Sequence, residues 1–477
     1  MSSENYSEGL KDGVTLRKVK LNNSYLEERV KRELQLNKDD PLTEDMLKNI
    51  KSLSCLIDPL NIDGIELLVN LEELHITVKD GDISPIGKLK NLKRLYITLL
   101  KSYKGDLAAL SNLFNLEKLD VFSEEGVSID LTPLSKLYNL KELNLTGSNI
   151  DDISPLYGLY KLECLCLDNN KIRDISGISR LQNLKELYIS YNNIEDFTPL
   201  LQLKNLEFID IDGKQEGINI ISQIPSLQRI CISGEYTIED FTPLSKLPNL
   251  ELLRIGMGIR GFDTIGVLSN LKRLIIIFNK IDNLEPFANL KSLETLDLGY
   301  SNIRDITPLA KLTKLKYLKL KNTGVSDIRP LLSLVNLKKL DLSNNNIEDI
   351  AVLSNLTNLK RLYLNNNNIK DITPLSNLTN LKALGLNSNN IEDITSLSNL
   401  TNLEALDLRN NKIEDITPLE NLRKLGSLDI SDNKIRDISV LFKLKNLEIV
   451  ILKNKSTEFV RLSCELKDGI VDFNIVY

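Results

Sequence analysis

At 477 residues the chain has room for about three ordinary domains, unless an internal repeat replaces globular packing. Its 60 basic and 66 acidic residues leave a net charge of −6 with no basic stripe, so nucleic acid is not the expected partner. Aromatic residues make up 5% with no Trp, so any core is aliphatic, and no apolar run is long enough for a membrane span.

Taken in chain order, residues 1–24 read as a flexible tail with no apolar leader. Five cysteines (Cys55, Cys164, Cys166, Cys231 and Cys464) are an odd number, against a closed disulfide framework. The expected location is therefore the reducing cytoplasm. Residues 25–60 read as a helical cap. Tyr25–Leu34 has the spacing of an amphipathic helix, and Leu42–Leu47 that of a second one capped by Thr43.

From Leu71 the chain repeats a pattern close to LxxLxLxxNxIxDIxPLxxLxN, giving leucine-rich repeats over 61–455. Eighteen units start at successive leucines from Leu71 to Leu447, and the last eight intervals are all 22 residues. In Leu362-Tyr363-Leu364 the leucines alternate with an outward residue, the signature of a short strand. Asn367 and its equivalents Asn170, Asn192, Asn279, Asn345, Asn389, Asn411 and Asn433 stand where the chain leaves that strand, where a buried amide can satisfy neighbouring backbone groups. Thr373-Pro374 offers a hydroxyl cap and a proline at a first helical position, suiting a 3₁₀ turn. The unit is too short for a full helix, so a thin convex side is expected. Residues 456–477 lose the repeat but alternate apolar residues, and read as a C-terminal cap.

These units resemble the 22-residue leucine-rich-repeat subclass of bacterial internalins and of eukaryotic phosphatase-regulating proteins, the DITPLSNLTNL wording of 371–381 being typical. The helix, the start at Leu42-Thr43 and the stretch from Ile62 to Leu71 are similar to an internalin-type N-terminal cap. No signal peptide or wall anchor is read beside them. The resemblance implies an α/β solenoid, a curved right-handed horseshoe with about 18 parallel strands on its concave face and short 3₁₀ or extended segments behind. It also implies a protein–protein interaction scaffold, or alternatively a regulatory subunit of an enzyme such as a protein phosphatase. A monomer binding a protein partner is expected, with no membrane, no cofactor, no metal and no catalytic residues.

Numbering each unit from its first leucine, positions three, five and seven face the concave side and position eight its rim. In the later repeats these are polar or small: Asn365, Gly385, Asp407, Asp429. In the middle repeats they are Tyr188, Tyr191, Phe208, Leu252, Ile275, Ile277, Phe278, Tyr300 and Tyr317, the candidate partner-binding residues. Repeats seven to nine carry Lys214, Glu235 and Gly258 in place of the Asn. A one-residue register slip there, or mutual cover between neighbouring strands, would instead make these side chains core.

Other motifs have plain readings. Cys164 and Cys166 read as two small thiols, since Cys231 lies three repeats away. His75 is the only histidine, which leaves no His-based triad with a spare base and no two-His metal site. The Asp ladder (Asp349, Asp371, Asp393, Asp415, Asp437) reads as turn capping. The sequons starting at Asn355, Asn377 and Asn399 are one repeat consensus copied three times.

Overall fold

The structure, a computed structural model, describes residues 8–11, 14–21, 23–55, 62–79, 82–101, 103, 106–124, 127–452, 460–467 and 470–476. The chain divides into two compact units, Met1–Ile232 with Lys246–Asn249, and Ser233–Ser245 with Leu250–Tyr477.

The first unit opens with antiparallel strands. Glu8–Lys11 pairs with Val14–Val19, which pairs with Leu42–Thr43. Residues expected to be a flexible tail thus include two strands. Helix α1 (Ser24–Glu33) is capped by Asn23, whose side-chain oxygen accepts from the Tyr25 and Leu26 amides at 2.8 and 3.1 Å. Helix α2 (Glu44–Leu47) is capped by Thr43 through the Met46 amide, as expected.

Nine parallel strands follow among the described residues, from Ser52–Cys55 to Arg229–Ser233. Ser52–Cys55 lies in the segment expected to be helical. It keeps the strand alternation, with Leu53 and Cys55 buried, but Ile50 and Cys55 stand where the repeat has leucines. A pattern anchored on leucines therefore missed it.

Helix α3 (Gln215–Ile221) is a second departure from the expected thin turns. It buries Gly217, Ile218 and Ile221. A Cβ on Gly217 would lie 3.3 Å from Phe197 and 3.4 Å from Ile211, so the glycine lets the helix settle onto its coil. Where the Asn is missing, Lys214 and Asp212 make different bonds to the preceding coil. The Lys214 ammonium donates to the Ile194 carbonyl at 2.7 Å, and buried Asp212 accepts from the Tyr191 amide at 2.8 Å.

The second unit carries ten parallel strands, from Leu252–Ile255 to Ile449–Leu452. One coil shows how each is built. Leu359, Leu362, Leu364, Ile369, Ile372 and Leu375 are all buried, each stabilising the fold by roughly 1.5–3 kcal/mol relative to exposure. The 3₁₀ turn Thr373–Leu375 has its proline in the first helical turn. Its cap is not the Thr373 hydroxyl. Instead Asp371 accepts from the Thr373 amide at 2.9 Å, and Asp349, Asp393, Asp415 and Asp437 repeat that bond to the residue two ahead.

Buried Asn367 sits between coils as the sequence predicted. Its amide nitrogen donates to Leu364 O of its own coil and Leu342 O of the preceding one, at 3.0 and 3.1 Å. Its oxygen accepts from the Ile347 amide at 3.0 Å. Asn389 and Asn411 repeat the arrangement.

At the end of the second unit, backbone strand Val460–Lys467 runs antiparallel to Ile449–Leu452 and to Ile470–Val476. The segment expected as a C-terminal cap thus pairs the open edge of the last parallel strand, which would otherwise present unmet backbone groups.

Candidate binding face

Where strand pairings are described in the middle repeats, the register is kept. Glu186 pairs with Phe208 in the first unit, and Leu252, Arg273, Thr295 and Tyr317 pair in succession in the second, all third positions. Tyr188, Phe208, Leu252, Ile275 and Tyr317 therefore alternate with the inward leucines and isoleucines of their strands, while Tyr191, Ile277, Phe278 and Tyr300 follow the strand ends. How far they reach solvent differs between the units.

In the first unit, Phe208 is only 7% exposed. Its ring lies 4.6 Å from that of Tyr188, and the Arg229 guanidinium sits 5.1 Å above it. Arg229 is held there by Glu186 at 2.8 Å. Mutual cover between strands thus applies to Phe208, which is a support beneath Tyr188 and Arg229 rather than a free anchor. Half-buried Tyr188 has its hydroxyl 3.3 Å from Glu186. Only Tyr191 stands clear, at 52% exposure.

In the second unit, Leu252, Ile275, Ile277 and Tyr300 are half-buried, while Phe278 (50%) and Tyr317 (44%) are exposed. Phe278 and Tyr300 stack with centroids 4.5 Å apart, and the Lys321 ammonium lies 5.5 Å over the Tyr300 ring. Gly256 and Gly299 occupy the positions on either side of Ile277, leaving its flanks open. Met257, also exposed, borders the same cluster. These residues form one apolar surface patch of the second unit.

The backbone at position eight marks three of these residues out. Asn169, Asn322, Asn344, Asn366, Ser388, Asn410 and Asp432 all have φ between 53° and 59°, the left-handed region. Asn and Asp tolerate it because their short polar side chains bond locally. Tyr191, Phe278 and Tyr300 occupy the same position with φ of 54°, 59° and 59°. A bulky aromatic residue there costs roughly 1–2 kcal/mol, of which a stacked ring pair returns only about 0.5–1.5 kcal/mol for two such residues.

The remaining motifs are dispersed. Cys164 and Cys166 share one strand face with their sulfurs 4.0 Å apart, while Cys231 is buried. His75 stacks on Tyr96 at 4.1 Å and is bonded to Glu73. Burial, with Asp210 beside it, pushes the Asp168 carboxyl up to about 7. Sequence reading passed over exposed Phe122, which stands at a seventh position in the third repeat. It also passed over position two, the row just ahead of each strand. There Lys51, Glu72 and Lys93 form ion pairs, as does Glu117 with Lys141, all lining a trough of about 440 Å³, and Glu163 pairs with Lys185 further on.

Stacked coils of one strand, one Asn-anchored turn and one 3₁₀ segment define a repeat solenoid. The family model "Leucine Rich repeats (2 copies)" matches residues 138–180, 182–229, 269–311, 313–355, 335–377, 357–399 and 379–421, just over half of the chain. The chain belongs to the leucine-rich-repeat family. Among solved structures it is similar to an internalin (inlF) of Listeria monocytogenes, 26% identical over 92% of this chain and 96% of that one, with a TM-score of 0.40. It is also similar to internalin C2 (inlC2) of the same species, 38% identical over 40% of this chain and 84% of that one, TM-score 0.39. The TLR13–ssRNA13 complex shares the fold at 21% identity, covering 84% of this chain and 73% of that one, TM-score 0.57. Comparison with curated proteins gave no match.

Proposed function

We propose that the chain is a protein-binding scaffold whose partner seats on the outer strand face of the second unit, around Ile275, Ile277, Phe278, Tyr300 and Tyr317. The observation that carries this is the stacked, solvent-facing Phe278–Tyr300 pair in left-handed backbone positions. From Asn322 to Asp432 position eight is filled by Asn, Ser or Asp, which are cheaper there on both backbone and solvation grounds. Aromatic side chains kept against that cost fit the anchors of an interface. Leucine-rich repeats suit such a role because stacked strands present one extended face. Cys55, Cys164, Cys166 and Cys231 are in no disulfide among the described residues, which fits a reducing compartment such as the cytoplasm. Catalysis is not part of the proposal.

The test is affinity capture from the protein's own cell lysate, using the whole chain and its Phe278→Asn/Tyr300→Asn variant side by side. The proposal expects proteins held by the wild type to be missing from the variant. Identical sets on both would overturn it.

A further inference from the structure

The row of side chains at position two neutralises itself along the first unit. Lys51, Glu72, Lys93, Glu117, Lys141, Glu163, Lys185 and Glu207 alternate in sign without a break. From Glu72 onward each amide is bonded to the preceding carbonyl of the row, as in Lys93 N to Glu72 O and Glu117 N to Lys93 O, both 2.8 Å. The row begins again in the second unit with Glu251, Lys272 and Glu294, then breaks. Lys316, Lys338, Lys360 and Lys382 follow one another on adjacent rungs, joined by the same 2.8 Å backbone bonds. Like charges on adjacent rungs repel.

The ends of this run are neutralised, Lys316 by Glu294 and Lys382 by Glu404. Its middle is not. Lys338 and Lys360 make no ion pair among the described residues, and neither do Lys339 and Arg361 beside them at position three. Half-buried Lys339 lies over the Tyr363 ring at 5.7 Å, a contact that leaves its charge without a carboxylate partner among the described residues. Tyr317 pairs with Lys339, and Lys339 with Arg361, so the unmatched cations continue directly from the apolar patch.

We infer that this block binds an acidic segment of the protein partner, with carboxylates meeting Lys338, Lys339, Lys360 and Arg361 while apolar neighbours cover Tyr317 and Ile277. This rests on the proposed binding face and names the chemistry of what occupies it. A nucleic acid strand is the poorer fit. Position five carries Asp341 on the strand of Lys339 itself and Asp297, Asp407 and Asp429 on strands to either side, so a polyanion running along the sheet would meet four carboxylates. A short acidic stretch that keeps to positions two and three meets the cations and has only Asp341 of these carboxylates beside it.

The probe is a fluorescein-labelled extended peptide of about twelve residues with Glu and Leu alternating, read by anisotropy against the full chain. The inference expects binding that weakens about tenfold or more between roughly 50 and 300 mM salt. Lys360→Glu should weaken it at least tenfold and Lys360→Arg should leave it unchanged. Because Glu at 360 would restore alternation between Lys338 and Lys382, the same Lys360→Glu variant should melt about 1–2 °C higher than wild type. No binding of the peptide, or tighter binding of an oligothymidylate of equal charge, would overturn the inference. So would equal peptide affinity for Lys360→Glu and wild type. If Phe278→Asn then still weakens the peptide, the apolar face stands without an acidic partner; if neither variant matters, the proposed face fails too.

Discussion

Phe278 and Tyr300 stack at 4.5 Å on consecutive coils, and both hold a backbone conformation that their neighbours reserve for Asn, Ser or Asp. Further along, Asn366 donates its side-chain amide to Asn344 at 2.8 Å in the same row. The double change Phe278→Asn/Tyr300→Asn would extend that amide row back along the unit. Relief of left-handed strain, roughly 1–2 kcal/mol per residue, outweighs a lost ring pair worth about 0.5–1.5 kcal/mol. The variant is expected to be about 1 kcal/mol more stable by chemical denaturation. A loss of stability would show that the pair holds the fold rather than a partner.

Asn367 makes bonds to two coils at once. Asn367→Leu removes the donors to Leu342 O and Leu364 O and the acceptor for Ile347 N, all in the interior. The expected cost is on the order of 2–3 kcal/mol. An unchanged thermal midpoint would contradict the role given to the amide.

Asp168 gives the first unit a pH dependence. Its folded pKa, about 7, lies above the usual carboxylate value because of burial and of Asp210. Its contribution to stability is therefore fully present below the unfolded pKa near 4 and lost as pH rises through 7. Asp168→Asn keeps an oxygen for the Ser190 amide, now bonded at 2.8 Å, and removes the charge. The variant should be roughly 2 kcal/mol more stable than wild type at pH 8 and little changed at pH 4, by thermal melts at both. Equal gains at the two pH values would sever the effect from ionisation.

Much of the fold was legible because the repeat writes each structural job at a fixed offset. Leu362 and Leu364 inward, Asn367 at the turn and Pro374 in the 3₁₀ segment follow from spacing alone. Ser52–Cys55 was hidden because isoleucine and cysteine replace its leucines, and α3 because nothing in the period marks a coil that trades its Asn for Lys214 and Asp212. The candidate face was legible as a list of outward positions but not as exposure. Phe208 and Phe278 look alike in sequence, yet Tyr188 and Arg229 cover the first while the second stands open. Which ring is covered depends on side chains of adjacent coils, about 22 residues away, and on their rotamers. The lysine run was readable all along at a spacing of 22 residues, but at position two, one place ahead of the strand positions considered.

The central claim is that a partner's affinity resides on the patch around Phe278, Tyr300 and Tyr317. Its most direct measurement is calorimetric titration of a captured partner into wild type, Ile277→Asp/Tyr317→Ala and the control Arg409→Ala, an exposed seventh position in the later repeats. Circular dichroism would confirm each fold. The account predicts a loss of at least 2 kcal/mol, about thirtyfold in affinity, for the double variant and no measurable change for the control. Equal affinity for the double variant and wild type would contradict it.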